Sequence, residues 1–527
     1  MVCVTEARFI NKPGGGINPA VRRASFILIG LAILAIAGWL RFSDLDLRPA
    51  HHDESVNFEF MRNLAQGAGW SYDPQAYHGP MLYFAAVPVW IALGPENVGK
   101  FALRLIPALA GLMAVLLALC SRRVLKDSAL LAAAFLALSA DQVFYSRMFI
   151  HEVLMAATSV GLILSAAGAA LERRPRSISA IPIWIALSLT IKETAVFMIL
   201  SIMLAVHIEI WIAKRNNQWE VSPAKRAESI KAMTQGAFIG LIVWALLFTS
   251  VGTNPRGALD FFLAYIYWGN TAAEDHVKSF WYFLDMLNRY AWPLWLFSLP
   301  ALIQAAQGDA LRRFLAVVAL STVLIYSGIP YKTPWCMVQI TTTLALLAAA
   351  GAADLWRWAR RMYVVKAAVA LAVAVGLTFM FLASLAMVKI QYTDNDDSLV
   401  YVQAEKDLEL VMEDYLERVT AVTEQGSGTE ILFVDDKHPI PFYLRKYTNV
   451  RYYSEPPEIA DAPVWISSYE MLDAMRSNQW DFYQIEYFQT WPGQWNCMGV
   501  RLDLWNEAWG REPETFELLI TPQEPAE

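Results

Sequence analysis

The residues best suited to chemistry in this sequence are two histidines and two carboxylates that follow one another at His51-His52-Asp53-Glu54. They come soon after an apolar run at 24–41, where a helix that crosses a membrane would emerge. Ionisable side chains at such a place are costly to keep near lipid. One carboxylate could act as a general base or a metal ligand while a cation holds the other. The alternative is that Asp-Glu-Ser-Val simply opens a helix in a loop.

Other ionisable residues follow in later turns. His78 belongs to a Tyr-His-Gly-Pro turn that leads into a short apolar stretch. Arg104 lies near one end of the next apolar run, where it could pair with Glu54 or only reach the membrane interface. Arg147 and Glu152 share one turn, in which the cation could bind a phosphate and the carboxylate could share a metal.

Three more charges complete the set of candidates. Lys192-Glu193 interrupts a long apolar segment, and charged groups at membrane depth usually line a cavity, although an isolated ion pair is the alternative. Lys332 stands on a Tyr-Lys-Thr-Pro-Trp turn. Such carboxylates, histidines and cations suit an anionic phosphate donor and a hydroxyl group that must lose its proton. A divalent metal, Mg or Mn, would have three candidate ligands, His52, Asp53 and His151.

The composition predicts a membrane protein with many spans. Of 527 residues, 56% are hydrophobic and 17% are charged, whereas soluble proteins carry about 25% charged residues. The 20 tryptophans and 21 tyrosines fit rings that lie at lipid headgroups. Four widely spaced cysteines are too few for a disulfide framework.

Charge divides the chain into two regions. Residues 389–527 contain 27 acidic and 10 basic side chains, whereas the preceding 388 residues have a net positive charge of 10. Long apolar runs also cease at about residue 390. We therefore predict an N-terminal arm at 1–23, a membrane domain at 24–390 with large outer loops at 42–101 and 252–290, and an acidic domain at 391–527 on the outer side of the membrane.

The positive-inside rule orients the membrane domain. If the short stretch 81–93 lies flat on the outer surface, every basic cluster falls on the side of the N-terminal arm, which carries Arg8, Lys12, Arg22 and Arg23. The N-terminus is then cytoplasmic, and all the candidate site residues lie outside. The eleven predicted spans are 24–41, 102–120, 127–144, 152–171, 177–191, 194–213, 233–251, 291–306, 313–329, 335–353 and 364–388.

The acidic region predicts a small α/β domain. Apolar residues recur at helical spacing over 400–420, and Ile431 to Val434 form a short apolar run that is typical of a buried strand. Further strands are predicted at Val464 to Ile466, Phe482 to Phe488 and Val500 to Trp505. The fold class is therefore an all-α membrane domain followed by a small α/β domain.

The ordered motifs resemble the GT-C glycosyltransferases, which include protein O-mannosyltransferases and lipid A aminoarabinose transferases. They are most similar to the mannosyltransferase-like family that is associated with flippase activity in archaea and bacteria. The matching segments are Asp53-Glu54, His78-Gly79-Pro80, the Arg-Leu-Ile-Pro-Ala-Leu-Ala-Gly run at 104–111, Tyr145-Ser146-Arg147 with Glu152, Lys192-Glu193, Tyr331 to Trp335, Tyr401-Val402-Gln403 and Pro441 to Arg445.

The resemblance implies transfer of a sugar, with inversion, from a polyprenyl-phosphate carrier to a lipid, glycan or protein acceptor outside the plasma (inner) membrane. Asp53 would be the catalytic base or a metal ligand, and Glu54 would pair with Arg104. Arg147, Lys192 and Lys332 become candidates for the lipid-phosphate site, with His78, Glu152 and Glu193 as further substrate contacts. Membrane lipids would surround the protein, and we expect no nucleic-acid partner.

Two other functions fit the same sequence. The chain could be a flippase for lipid-linked sugars, or an accessory to one, without catalysis. It could also be an assembly protein whose C-terminal tryptophans stack on sugar rings, although buried tryptophans in a core account for such residues more often. These tryptophans are Trp465, Trp480, Trp491, Trp495, Trp505 and Trp509.

Overall fold

The computed structural model describes residues 18–67, 73, 78–172, 174–217, 222–271, 276–359, 362–435, 437–457, 462–471 and 483–511. Several residues used above lie outside these ranges, namely Arg8, Lys12, Tyr77, Trp480 and Phe482. The described chain is mostly helical, as the composition predicts.

The described membrane domain is built from helices joined by loops and turns. They are α1 (Pro19–Phe42), α2 (His52–Ala65), α3 (Met81–Leu93), α4 (Lys100–Cys120), α5 (Arg122–Leu125), α6 (Ala129–Leu138), α7 (Ala140–Tyr145), α8 (Glu152–Glu172), α9 (Pro175–Leu189), α10 (Ala195–Arg215), α11 (Pro223–Phe248), α12 (Gly257–Thr271), α13 (Tyr282–Tyr290), α14 (Trp292–Ala306), α15 (Ala310–Gly328), α16 (Met337–Trp358) and α17 (Tyr363–Lys389). Short 3₁₀ turns occur at Pro95–Asn97, Lys126–Ser128 and Pro334–Cys336.

Local sequence sets several of these helix starts. Asn18 and Ser222 accept a hydrogen bond from the first turn of α1 and α11, and a proline follows each of them at the first helical position. Asp309 caps α15 in the same way, with the backbone N–H of Arg312 2.9 Å from its carboxylate. Side-chain caps satisfy N–H groups that a helix leaves without an internal partner.

Among the described helices, eight are long and apolar enough to cross a membrane. They correspond to eight of the eleven predicted spans. Two further predicted spans are the 15-residue helices α9 and α14. The span predicted at 127–144 is divided, because Ser139 adopts an extended backbone (φ −70°, ψ 125°) that ends α6 and starts α7. The stretch 81–93 forms α3, a 13-residue apolar helix.

Helices α8 and α16 are the most deeply buried of the eight. Alanine and glycine dominate the middle of α16, which lets its neighbours approach closely. At Gly351, a Cβ atom would lie 2.0 Å from the carbonyl oxygen of Phe297 on α14. The contact between these two helices therefore depends on the missing side chain.

The C-terminal region forms a five-stranded sheet with flanking helices. Its strands are β1 (Ile431–Val434), β2 (Val450–Tyr453), β3 (Val464–Ser468), β4 (Tyr483–Trp491) and β5 (Gln494–Arg501), in the order β2-β1-β3-β5-β4. The first three strands are parallel, and β5 runs antiparallel to both β3 and β4. The helical segments are α18 (Lys406–Glu409), a π turn at Leu410–Tyr415, α19 (Leu416–Ala421), α20 (Ile440–Tyr443) and α21 (Leu502–Trp509), with 3₁₀ turns at Gly426–Gly428, Leu444–Lys446 and Tyr469–Met471.

One strand prediction in this region is wrong. The run Val500 to Trp505 was expected to be a strand, but β5 ends at Arg501 and α21 begins at Leu502. The apolar residues Leu504 and Trp505 are buried on one face of this helix. A short apolar run does not distinguish a strand from a buried helix.

The C-terminal sheet domain packs directly against the loops around Ala50 and Val98, which are predicted to lie outside. The backbone N–H of Ala50 donates to the Tyr443 hydroxyl at 2.8 Å, and Arg445 donates to the carbonyl of Val98 at 3.0 Å. The buried hydrophobic core continues from the membrane helices to Ile431 and Phe433 of the sheet. The sheet domain is therefore seated on the same end of the bundle as the loop that contains His51.

Glycine also controls the contact between α9 and α11. A Cβ atom at Gly236 would lie 2.0 Å from the carbonyl oxygen of Ser179. We expect Gly236→Ala to lower the free energy of unfolding by about 1–3 kcal/mol, because the backbones must move apart. Gly269→Ala is the control, since a Cβ there meets open space. Thermal unfolding in detergent measures both variants, and equal melting temperatures would contradict this view of the contact.

Candidate active site

The predicted outer segments meet around one cavity of about 830 Å³. It is bounded by α2, the His78 turn, the turns before α8 and α10, α12, the loop before α16 and the beginning of the acidic region. Its histidine, carboxylate and lysine lining residues among those described are His51, His52, Asp53, His78, His151, Glu152, Lys192, Glu193 and His276. Predictions made for separate turns therefore refer to one site.

His51 and Glu54 form the start of α2. The Nδ1 atom of His51 accepts a hydrogen bond from the backbone N–H of Asp53 at 3.1 Å, and Glu54 accepts one from the backbone N–H of His51 at 3.0 Å. This reciprocal arrangement is a capping box. The other His51 nitrogen donates to the carbonyl of Tyr401 at 2.9 Å. The helix-cap interpretation therefore applies to His51 and Glu54.

A buried ion pair holds this helix start in place. The two carboxylate oxygens of Glu54 accept from Nε and Nη2 of Arg104 at 2.7 and 2.6 Å. Glu54 also accepts from the backbone N–H of Phe149 at 2.9 Å. Burial opposes ionisation of Glu54, but Arg104 outweighs it and lowers the pKa of Glu54 to about 2. The pair predicted from the sequence is present.

The same contacts correct the catalytic assignment of Glu54. Glu54 is 4% exposed, and it is absent from the described cavity lining. Arg104 is fully buried and also donates to the carbonyls of Leu45, Arg48 and Pro49. Both residues are therefore positioning residues, and Arg104 is not a substrate contact.

Asp53 follows the cap and points into the cavity. Its side chain is 39% exposed, and it lies 4.0 Å from Nδ1 of His51. Two cavity tyrosines are influenced by its charge. Burial raises the pKa of Tyr401, and the charge of Asp53 adds to this effect. Burial also raises the pKa of Tyr331 to about 12, with a smaller contribution from Asp53. Both hydroxyls therefore stay protonated beside the carboxylate at neutral pH.

A buried ion pair and a histidine–carboxylate pair form the opposite wall. The ammonium group of Lys192 donates to Glu152, and Nδ1 of His78 lies 2.8 Å from Glu193. Burial acts to lower the pKa of Lys192, but Glu152 outweighs it and raises that pKa above its ordinary value. Burial acts to raise the pKa of Glu193, but His78 lowers it. Lys192 and Glu193 therefore belong to two different pairs, and both pairs line the cavity.

Glycine in the His78 turn allows these pairs to meet. A Cβ at Gly79 would lie 2.3 Å from the carbonyl oxygen of Thr190. The backbone N–H of Gly79 instead donates to Ile191 at 3.1 Å, which ties the turn to the loop before α10. The ring of His151 donates to the carbonyl of Gly79 at 3.1 Å, and burial keeps the pKa of His151 well below its ordinary value. His151 is therefore neutral and supports the turn.

Two predicted phosphate contacts do not reach the cavity. Arg147 donates to the carbonyls of Leu40, Arg41, Ser43 and Asp44, so that it closes the end of α1. Lys332 is 1% exposed and donates to the carbonyls of Lys278 and Ile329. Carbonyl groups at a helix end and in turns satisfy both cations. Lys192 is the only lysine or arginine among the described lining residues.

The three proposed metal ligands do not form a metal site. No group of three or more His, Cys, Asp or Glu side chains suited to a metal ion occurs in the described part of the chain. His151 uses Nε2 for Gly79, and His52 lies edge-on to the ring of His438 at 5.4 Å. The described residues therefore do not fit a shared ion at Asp53.

Two residues on α12 were missed by the sequence analysis. The hydroxyl of Tyr265 and the indole N–H of Trp268 are buried in the cavity wall without a hydrogen-bond partner. They lie three residues apart, hence on one face of the helix. The Trp268 ring also lies against His78, with ring centroids 5.1 Å apart. The only sequence signal was the concentration of aromatic residues in the loop 252–290.

The Glu54–Arg104 pair generates a stability prediction. Glu54→Gln leaves a buried guanidinium without its counter-charge, and we expect a loss of about 3–5 kcal/mol in the free energy of unfolding. The control on the same helix is Glu59→Gln, because Glu59 pairs with Arg62 at a side chain that is 31% exposed. That substitution should cost less than about 1 kcal/mol. Thermal unfolding in detergent compares them, and a Glu54→Gln protein as stable as Glu59→Gln would contradict the prediction.

Known proteins share this architecture. A family model described as dolichyl-phosphate-mannose-protein mannosyltransferase matches residues 78–222. The structure of ArnT from Cupriavidus metallidurans bound to undecaprenyl phosphate is similar with a TM-score of 0.57 at 15% identity, over 91% of this chain and 98% of that chain. The apo state of ArnT gives a TM-score of 0.59 at 14% identity, over 94% and 99% of the two chains.

No curated protein matches the sequence. The family model and the fold support the prediction of a membrane glycosyltransferase. The chain therefore has the fold of ArnT over nearly its whole length, and the predicted resemblance to the GT-C glycosyltransferases is confirmed at the level of the fold.

Proposed function

We propose that the chain transfers a sugar from a polyprenyl-phosphate carrier to an acceptor hydroxyl at the outer face of the plasma membrane. The observation that carries this proposal is the convergence of Asp53, the Lys192–Glu152 pair and the His78–Glu193 pair on one cavity. A similar fold has been solved with undecaprenyl phosphate bound, which supports this class of carrier.

Asp53 is the best-placed general base. Its side chain is 39% exposed, whereas those of Glu152 and Glu193 are 7% and 10% exposed and are engaged with cations. A general base must reach the proton that it removes. Asp53 meets this requirement, because the capping box and the Glu54–Arg104 pair fix the first turn of α2 while leaving its carboxylate in the cavity.

The reaction is a single displacement at the anomeric carbon. The acceptor oxygen forms a bond to this carbon as the bond between the carbon and the phosphate oxygen breaks, so that the configuration inverts. The proton of the acceptor hydroxyl passes to Asp53, and the carrier leaves as polyprenyl phosphate. Positioning of the two reactants and stabilisation of the charge on the leaving group supply the catalysis.

Donors on the opposite wall would stabilise the leaving phosphate. The ammonium of Lys192 has three N–H donors, and its pairing with Glu152 keeps it charged. Tyr265 and Trp268 add two neutral donors that lack a protein partner. Groups held rigidly in a buried site need no reorganisation as the charge develops. This set replaces Arg147 and Lys332 as the phosphate contacts.

The apolar part of the cavity suits the carrier lipid. Val196, Phe197 and Ile329 line it beside the ionisable groups. The first isoprene units could lie against these side chains while the phosphate remains near Lys192. The basic inner loops and the position of the cavity support a cytoplasmic N-terminus with the site and the acidic region outside.

Removal of the proposed base should abolish transfer. We expect Asp53→Asn to lower the transfer rate by at least about 100-fold, because a general base contributes about 10²–10⁴. The control is Asp396→Asn, since Asp396 is an exposed aspartate in the acidic region. The measurement is release of labelled sugar from a polyprenyl-phosphate donor by the purified protein. Equal rates in both variants would refute the role of Asp53, and carrier translocation in vesicles without sugar release would favour a flippase.

The Tyr265 hydroxyl and the Trp268 indole N–H, which lack a hydrogen-bond partner, should affect binding of the sugar-donor substrate. Tyr265→Phe removes one hydroxyl from the cavity wall with little change in shape. We expect the donor KM to rise by at least about 10-fold, since a hydrogen bond to a charged group contributes about 1.5 kcal/mol or somewhat more. Tyr267→Phe on the same helix is the control, because Tyr267 is absent from the described cavity lining. An unchanged donor KM for Tyr265→Phe would remove this residue from the phosphate site.

A further inference from the structure

The cavity has a third wall that belongs to the C-terminal sheet domain. Tyr401, Val402 and Trp491 line it, although they follow the last membrane helix in the chain. The ring of Trp491 lies edge-on to that of His52, with centroids 6.2 Å apart. His52 directly precedes Asp53, and His52, Asp53 and Trp491 line the same cavity. Nothing in the proposed transfer of the donor sugar requires this tryptophan.

The β4–β5 hairpin holds Trp491 rigidly. Trp491 pairs with Gln494 across a two-residue Pro-Gly turn, in which Gly493 has a φ of +82°. The strand register shifts between Gln489 and Trp491, and such irregularities re-aim a side chain. Just before this point, the amide of Asn496 donates to the hydroxyl of Thr490 at 3.1 Å, and both residues are fully buried. The tip of the hairpin thus places the ring of Trp491 at the cavity.

The other described tryptophans of the sheet domain do not line the cavity. Trp465 and Trp505 are 4% and 5% exposed and belong to the hydrophobic core. Trp509 stacks on Trp505 with centroids 3.8 Å apart. Trp495 is 46% exposed but is absent from the described cavity lining. Trp491 is therefore the one tryptophan among the described residues of this domain that faces the cavity.

The surroundings of Trp491 favour an uncharged ligand. Burial lowers the pKa of His52, so that its ring is neutral at neutral pH. The nearby His438 hydrogen-bonds to Ser55 at 2.7 Å and lies 3.8 Å from the carboxylate of Glu59. The region 389–527 has 27 acidic against 10 basic residues, which disfavours an anionic acceptor. An aromatic face beside a neutral imidazole suits the apolar face and the hydroxyls of a sugar ring.

We propose that Trp491 and His52 form the acceptor subsite, and that the acceptor is a neutral sugar residue of a glycan or glycolipid. Its ring lies on the indole, and one of its hydroxyls points to Asp53. This inference rests on the proposed function for the use of Asp53, but binding of the acceptor is a separate property. The sheet domain then determines which acceptor is used, while the membrane domain binds the carrier.

Direct binding tests the subsite without any turnover. The probes are the methyl glycosides of glucose, mannose and galactose, mixed with the full-length protein in detergent, and saturation-transfer NMR detects contact with the protein. We expect transfer to at least one glycoside, its loss in Trp491→Ala, partial recovery in Trp491→Phe and no change in Trp495→Ala. Absence of transfer to all three in the unmodified protein, or equal signals in both alanine variants, would overturn the proposal.

Kinetics then separate an acceptor role from a structural one. With the bound glycoside as acceptor, Trp491→Ala should raise the acceptor KM about 10-fold, since an aromatic contact contributes about 1.5 kcal/mol. A fall in kcat with unchanged acceptor KM would overturn the role in binding, as would preferred transfer to a serine peptide or a sugar phosphate. If the glycoside binds through Trp491 but no donor sugar is released, the proposed function fails while the subsite stands.

Discussion

The buried pair between Glu54 and Arg104 is the contact on which the site depends. Arg104 is fully buried on α4, and it binds both the carboxylate of Glu54 and the carbonyls of the loop at 45–49. Two charges removed from water are stable only when each satisfies the other and the remaining donors find partners. The geometry meets this condition, and it fixes the first turn of α2. Asp53 is thereby held in the cavity by its neighbours and keeps its own carboxylate exposed.

The same principle organises the opposite wall. The ion pair of Lys192 with Glu152 and the contact of His78 with Glu193 connect segments far apart in the chain. Each pair lies where a turn between membrane helices meets another turn, and Gly79 permits the backbone approach that joins them. Charge pairing therefore both assembles the cavity and leaves it polar. Cations that lie outside this set, Arg147 and Lys332, bind carbonyl groups and stabilise the ends of helices and turns.

The region that follows the last membrane helix contributes residues to the cavity as well as packing against the membrane domain. Its helix α20 and the following turn contact the loops around Ala50 and Val98 through Tyr443 and Arg445, and its hairpin places Trp491 at the cavity. In the proposed function, membrane helices supply a fixed frame for the carrier and the base, whereas the loops and hairpins of the sheet domain supply a surface that can change without altering that frame. A division of labour between donor and acceptor binding follows from this arrangement.

The sequence alone determined the membrane architecture, the small α/β domain, the Glu54–Arg104 pair and the identity of Asp53 as the main candidate base. The first two follow from apolar periodicity and loop charge, whereas the pair and the role of Asp53 follow from the resemblance of the ordered motifs to the GT-C glycosyltransferases. Tertiary structure alone decided which cations face the cavity, because Arg147, Lys192 and Lys332 stand in similar turns and differ only in the carbonyls or carboxylates that come within reach. It also revealed Tyr265, Trp268 and Trp491, since a side chain's direction into a cavity depends on contacts between distant segments. The break at Ser139 and the helix at Leu502 were likewise set by packing, which a short apolar run does not encode.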